Sequence, residues 1–174
     1  MRKTYGKLQL TPSGQWELSN IMPHVAIRLK QLFPRIPKWK SGCFLFPNDL
    51  NHCADLSWFL SRYPMEISEE DQAKLEYGRQ QFERRQELYE EILKPGYKPP
   101  QRIGLREGKA FRLYQEQAID LTLAREKLLL GDDVGLGKTI TAAGVMLDPR
   151  ALPAAVVVQT HLQQQWKEMI EAFT

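Results

Sequence analysis

The chain has 174 residues, 43% hydrophobic and 10% aromatic, which is enough apolar material for one domain or two small ones and too much for global disorder. Its longest uncharged apolar runs, such as Ala151–Thr160, are far too short to cross a bilayer, and "MRKTYGKLQLTPSG" turns polar at once, so a cytoplasmic protein is expected. The net charge of +3 is unevenly spread: nine basic against three acidic residues over 1–63, five against nine over 64–95, and ten against nine over the rest. A basic head before an acidic connector suggests separate tasks, with a polyanion facing the head.

Residues 1–67 read as a small basic α/β accessory module. "YGKLQL" and "GQWELS" alternate in polarity around a Pro-Ser-Gly turn and predict a β-hairpin. "HVAIRLKQLF" predicts a helix that stops before Pro34, and "GCFLFP" a strand bounded by Gly42 and Pro47. "NDLNHCADLSWFLSRY" predicts a second helix starting near Asn48 or Asn51. Between the first helix and the strand, "FPRIPKWKSG" interleaves Arg35, Lys38 and Lys40 with Phe33 and Trp39, a composition suited to phosphate contact and base stacking. Cys43 and Cys53 are too few for a disulfide framework or a four-ligand zinc site, and reduced structural thiols are expected.

Residues 68–101 read as a long helix and a Pro-rich linker. Ser68 and Asp71 form a capping-box pattern, with Asp in place of Glu or Gln. Leu75, Phe82 and Tyr89 recur every seven residues, and Leu88 and Ile92 widen the stripe. Gly78 weakens the middle of that helix. "KPGYKPPQ" then breaks it and predicts a stiff connector.

From residue 102 to 174, helical and strand-like stretches alternate. "FRLYQEQAIDLTLARE", "KTITAAGVML" and "HLQQQWKEMIEAF" predict helices, with "KLLL" and "AAVVVQ" as strands between them. This alternation predicts a parallel sheet covered by helices. The loop "DDVGLGKT" falls between a predicted strand and a predicted helix. Gly135 and Gly137 let successive N–H groups face phosphate oxygens, and the helix opening near Lys138 adds its positive end. In such a loop Lys138 reaches the β- and γ-phosphates of ATP and the Thr139 hydroxyl ligates Mg²⁺. Asp132 stands where the general G-x-x-x-x-G-K-[ST] pattern has its first glycine.

"GDDVGLGKT" resembles motif I of superfamily-two helicases, most closely the Swi/Snf-type ATP-dependent DNA translocases, in which an acidic pair often precedes the glycines. The resemblance makes Asp132, Asp133, Val134, Gly135, Leu136, Gly137, Lys138 and Thr139 the nucleotide-binding loop, and Lys138 and Thr139 the catalytic pair. "FRLYQEQAID" resembles the family's Q motif and places the adenine-reading glutamine at Gln115, whose amide donates and accepts at once. "VVVQTHLQQQWKEMI" resembles motif Ia, putting Thr160 and His161 on a loop that touches the DNA backbone. Gln159 stands where the family usually has proline. Trp166 also falls on a family position, and core packing is its expected role.

The resemblance covers roughly residues 105–174 and implies the first part of a RecA-like lobe. Hydrolysis in that family also needs an Asp-Glu pair on a further strand and arginine fingers from a second lobe. Neither is legible here; "GVMLD" ends at Asp148, ten residues after Lys138, and reads as a helix end. The leading expectation is the N-terminal part of an ATP-dependent DNA helicase or translocase whose partner is the missing C-terminal motor lobe. The alternative is a non-catalytic nucleic-acid or protein-binding module with a vestigial half-lobe.

Overall fold

The computed structural model describes residues 4–174. It is a mixed α/β chain, with a three-stranded antiparallel sheet and six α-helices among the described residues. Two compact units divide between Gln86 and Glu87.

The first unit begins with a hairpin of β1 (Lys7–Leu10) and β2 (Gln15–Ser19), in register from Lys7 opposite Ser19 to Leu10 opposite Trp16. Gly14 makes the turn with a φ of +75°, a conformation that costs glycine little. Helix α1 (Pro23–Leu32) starts with proline in its first turn, where no amide partner is lost. Strand β3 (Phe44–Pro47) pairs antiparallel with β2, giving the order β1-β2-β3. Helix α2 (Leu50–Arg62) is capped by Asp49, whose Oδ1 accepts the His52 amide at 2.9 Å. The cap therefore falls between the two asparagines that the sequence suggested.

Alternation along the strands turns Leu8, Trp16, Leu18, Phe44 and Phe46 inward against Val25 and Leu29 of α1 and Cys53, Leu56 and Phe59 of α2. The Trp16 indole N–H, buried with its ring, is satisfied by Asn48 Oδ1 at 2.9 Å. Both thiols are free, as expected, and burial pushes the Cys53 thiol up.

Helix α3 (Glu69–Leu93) contains the unit boundary. Ser68 Oγ accepts the Asp71 amide at 3.1 Å, which is half of the predicted capping box. The other half is replaced: Asp71 Oδ2 accepts the Leu10 amide at 3.2 Å, so the short carboxylate satisfies the end of a strand instead. Leu75 joins the first core, while Tyr89 and Ile92 pack with Leu121 in the second unit. Leu88 is exposed, so the apolar stripe is narrower than its spacing implied.

In the second unit the Pro-rich stretch is tied to helix α4 (Leu113–Arg125). Gln117 Nε2 donates to the carbonyls of Ile92 (2.8 Å) and Lys94 (3.1 Å), closing the end of α3. Tyr97 Oη donates to Asp120 Oδ2 at 2.8 Å. Arg102, 8% exposed, bridges Glu116 and Asp120, its Nη2 lying 2.7 Å from Asp120 Oδ1. Helix α5 (Lys138–Met146) packs on α4 and α6 (Gln163–Phe173) packs on α5. No helix among the described residues is long and apolar enough to cross a membrane.

The parallel sheet expected from "KLLL" and "AAVVVQ" is not formed. Both segments carry no ladder pairing among the described residues. Leu129 and Val157 are each 96% exposed. A parallel ladder is stable when both of its faces are covered, and these two faces are bare.

Candidate nucleotide and nucleic-acid sites

The Asp132–Gly137 loop leaves α4 and returns as α5, and two of its glycines carry the turn. Gly135 has a φ of +90° and Gly137, the residue that caps α5, a φ of +77°. Side chains with a Cβ are strained in that region. At Gly137 a Cβ would also lie 2.7 Å from Gln115 Nε2. The first amides of α5, beginning at Lys138, have no partner within the helix, as at any helix start. Thr141 closes the first turn, its amide donating to the Gly137 carbonyl at 3.0 Å.

One carbonyl fixes the loop to α4. The Leu136 oxygen accepts from Tyr114 Oη at 2.9 Å and from Gln115 Nε2 at 3.2 Å. Gln115 is 6% exposed, and its Oε1 accepts the Arg112 amide at 2.9 Å. Its amide thus reads the helix start with one end and the loop with the other, keeping one further N–H. Tyr114 was not singled out by the sequence. Its only signal is its place beside Gln115 on the first turn of α4.

Lys138 bends back over its own loop. Its Nζ donates to the carbonyls of Asp132 at 2.7 Å and Asp133 at 3.0 Å. These are neutral acceptors, and a phosphate oxygen offers an ammonium a stronger, charge-assisted bond at the same spot. The positive-φ glycines, the amides that open α5 and the inward-turned lysine are a donor set that fits an anionic polyphosphate. The Val134 side chain is 98% exposed, which leaves its backbone as the part that could face a phosphate. Thr139 sits on the first turn of α5, half-buried, with its hydroxyl engaged by no other group among the described residues.

Thr160 and His161 lie in a single 3₁₀ turn, Thr160–Leu162, that leads into α6, and both are exposed. No hydrogen bond joins them to the loop among the described residues. Trp166 is half-buried and lines an apolar cleft of about 380 Å³ with Leu128, Leu130, Val156 and Val157, in keeping with a packing role. Asp148 lies two residues past the end of α5 and caps the 3₁₀ turn Pro149–Ala151, so it starts the next turn. Its carboxylate accepts the Arg150 amide at 2.9 Å and pairs with the guanidinium, which holds its acidity at about 2. No group of three or more metal-ligating side chains exists among the described residues.

In the first unit, Arg35 and Lys40 line one cleft of about 450 Å³ with Phe33, Phe46 and His52. Lys38 lies outside it, and its carbonyl accepts from Lys30 Nζ at 2.6 Å. Phe46 and His52 were not legible as cleft residues, because one lies on a strand and the other on a helix distant in sequence from Arg35.

Comparison with family models, with curated proteins and with solved structures gives no match.

Proposed function

We propose that the second unit binds Mg-ATP on the Asp132–Thr139 loop and is part of an ATP-driven helicase or translocase acting on DNA. The observation that carries this reading is the loop itself: two glycines at positive φ, a helix starting at Lys138, and the lysine folded onto the loop's own carbonyls. On this reading Lys138 exchanges those carbonyls for β- and γ-phosphate oxygens. The α5 amides would hold the same phosphates, and the Thr139 hydroxyl would serve as a ligand for the metal. Mg²⁺ supplies charge neutralisation between the phosphates. Gln115 holds the loop through Leu136 and turns its remaining N–H to the adenine edge. Thr160 and His161 take the nucleic-acid backbone.

The reading also accounts for the bare segments of the second unit. Leu128–Leu130 and Ala154–Gln159 are mostly apolar and unpaired among the described residues, a composition that strands of a RecA-like sheet would have. Further strands laid beside them would bury Leu129 and Val157.

Equilibrium titration with Mg-ATP tests the proposal. The expected result is saturable binding that Lys138→Ala weakens at least ten-fold, the loss of a charge-assisted contact of about 1.5–3 kcal/mol, with the melting curve of the unliganded protein unchanged. Equal affinity in the folded Lys138→Ala variant would refute it.

A further inference from the structure

The cleft of the first unit combines three features. Its floor is aromatic: the Phe33 and Phe46 rings are 4.5 Å apart between centroids, and the His52 ring lies parallel to Phe33, 5° between planes, at 6.0 Å. Its volume, about 450 Å³, suits a planar heterocycle with its sugar rather than an extended peptide side. Its rim is cationic, with Arg35 from the turn after α1 and Lys40 from the segment before β3. Trp39, 83% exposed, stands beside Lys40 with its ring in solvent.

The acids nearby are already engaged. Asp49 Oδ2 is bonded to His52 Nδ1 at 2.8 Å, and Glu17, opposite Leu45 in the sheet, accepts from Gln9 Nε2 at 3.1 Å. A half-buried Phe33 ring, backed by the buried Phe46 and flanked by two cations with no ion-pair partner among the described residues, is complementary to a base bearing phosphates on either side. Duplex DNA hides its base faces in the stack, so its phosphates could meet Arg35 and Lys40 while the floor stayed empty.

We infer that this cleft binds single-stranded nucleic acid, seating one unstacked base against Phe33 and placing the flanking phosphates on Arg35 and Lys40. The site is separate from the nucleotide loop and stands whether or not that loop binds ATP. The aromatic floor sets the preference for an open base, and the two cations set the affinity and its salt dependence.

The test compares oligothymidylate with an abasic oligomer of equal length and with a duplex, on the whole chain without nucleotide. Oligothymidylate is expected to bind about five-fold or more tightly than the abasic strand, since stacking on an aromatic ring is worth about 1 kcal/mol or more. Phe33→Leu, which keeps apolar volume and removes the ring, should erase that preference. Arg35→Ala should weaken both strands alike and flatten the salt dependence by about 0.7 in log–log slope. A melting curve checks that each variant is folded. Photo-crosslinking with an iodouracil oligomer needs no substitution and should label the segment from Phe33 to His52. Equal binding of the abasic strand, tighter binding of the duplex, displacement by oligoglutamate at equal charge, or crosslinks confined to other segments would each overturn the assignment.

Discussion

At the scale of single residues, the second unit turns on a buried polar cluster. Arg102 lies between Glu116 and Asp120, which are only 14% and 12% exposed at the side chain, and Tyr97 donates to the same Asp120. Burial first, and the neighbouring Asp120 carboxylate second, push the Tyr97 phenol up to about 12 from an ordinary 10.0. A folded value above the unfolded one means that the proton is held more tightly in the folded chain. The contribution to stability is therefore full below about pH 10 and is lost as the pH climbs toward about 12. Phenolate absorbance across an alkaline titration should show one of the six tyrosines ionising late, and Tyr97→Phe should remove that late step. An alkaline titration that Tyr97→Phe leaves unchanged near pH 12 would contradict the buried cluster. None of this was legible beforehand. Arg102 and Tyr97 sit in a stretch whose prolines announce a connector, and only the fold brings Glu116 and Asp120, one helical turn apart, to face them.

At the scale of elements, α3 shows what spacing can and cannot say. The seven-residue recurrence of Leu75, Phe82 and Tyr89 and the Ser68 cap fix the helix and its start. They do not say that the stripe leaves one core and enters another along its length. Gly78 is the clearest case. Its helix propensity alone argues for replacement, yet a Cβ there would lie 2.6 Å from Cys53 Sγ and 2.7 Å from Cys53 Cβ. The glycine lets α3 approach α2. Gly78→Ala gains up to about 1 kcal/mol of helix propensity and loses about 1–3 kcal/mol to overpacking, so net destabilisation is expected in urea unfolding. A stabilised variant would mean that the two helices are not held at this distance. The hairpin and β3 were legible because their turns are local and their polarity alternates. The strands expected at "KLLL" and "AAVVVQ" in the second unit are not formed among the described residues, because an apolar run does not specify pairing, which depends on partners remote in sequence.

At the scale of the whole molecule, the chain is two units with unequal cores. The first buries Trp16, Phe44 and Phe59 almost completely, while the second leaves Ile103, Leu129, Val134 and Val157 in solvent. Segments with few buried apolar contacts open at low free-energy cost. Ligand bound only to the folded form raises that cost, by about 2.7 kcal/mol at a hundred times its dissociation constant. The glycine loop that the sequence marked turns on two positive-φ glycines and leads into α5, the geometry on which the proposed phosphate site rests. The clamp that Tyr114 and Gln115 place on the Leu136 carbonyl was invisible, since it depends on α4 and α5 packing together. The charge bias of the head was legible; the aromatic cleft that gives Arg35 and Lys40 a shared site was not.

If residues 132–139 form a nucleotide-phosphate site, as proposed, Mg-ATP must protect that loop. Amide hydrogen exchange with and without Mg-ATP, read peptide by peptide, tests it most directly. The expected result is slowed exchange over the loop and the first turns of α4 and α5, with the first unit unchanged. Exchange that is unaltered by saturating Mg-ATP, or slowed only away from this loop, would contradict the claim.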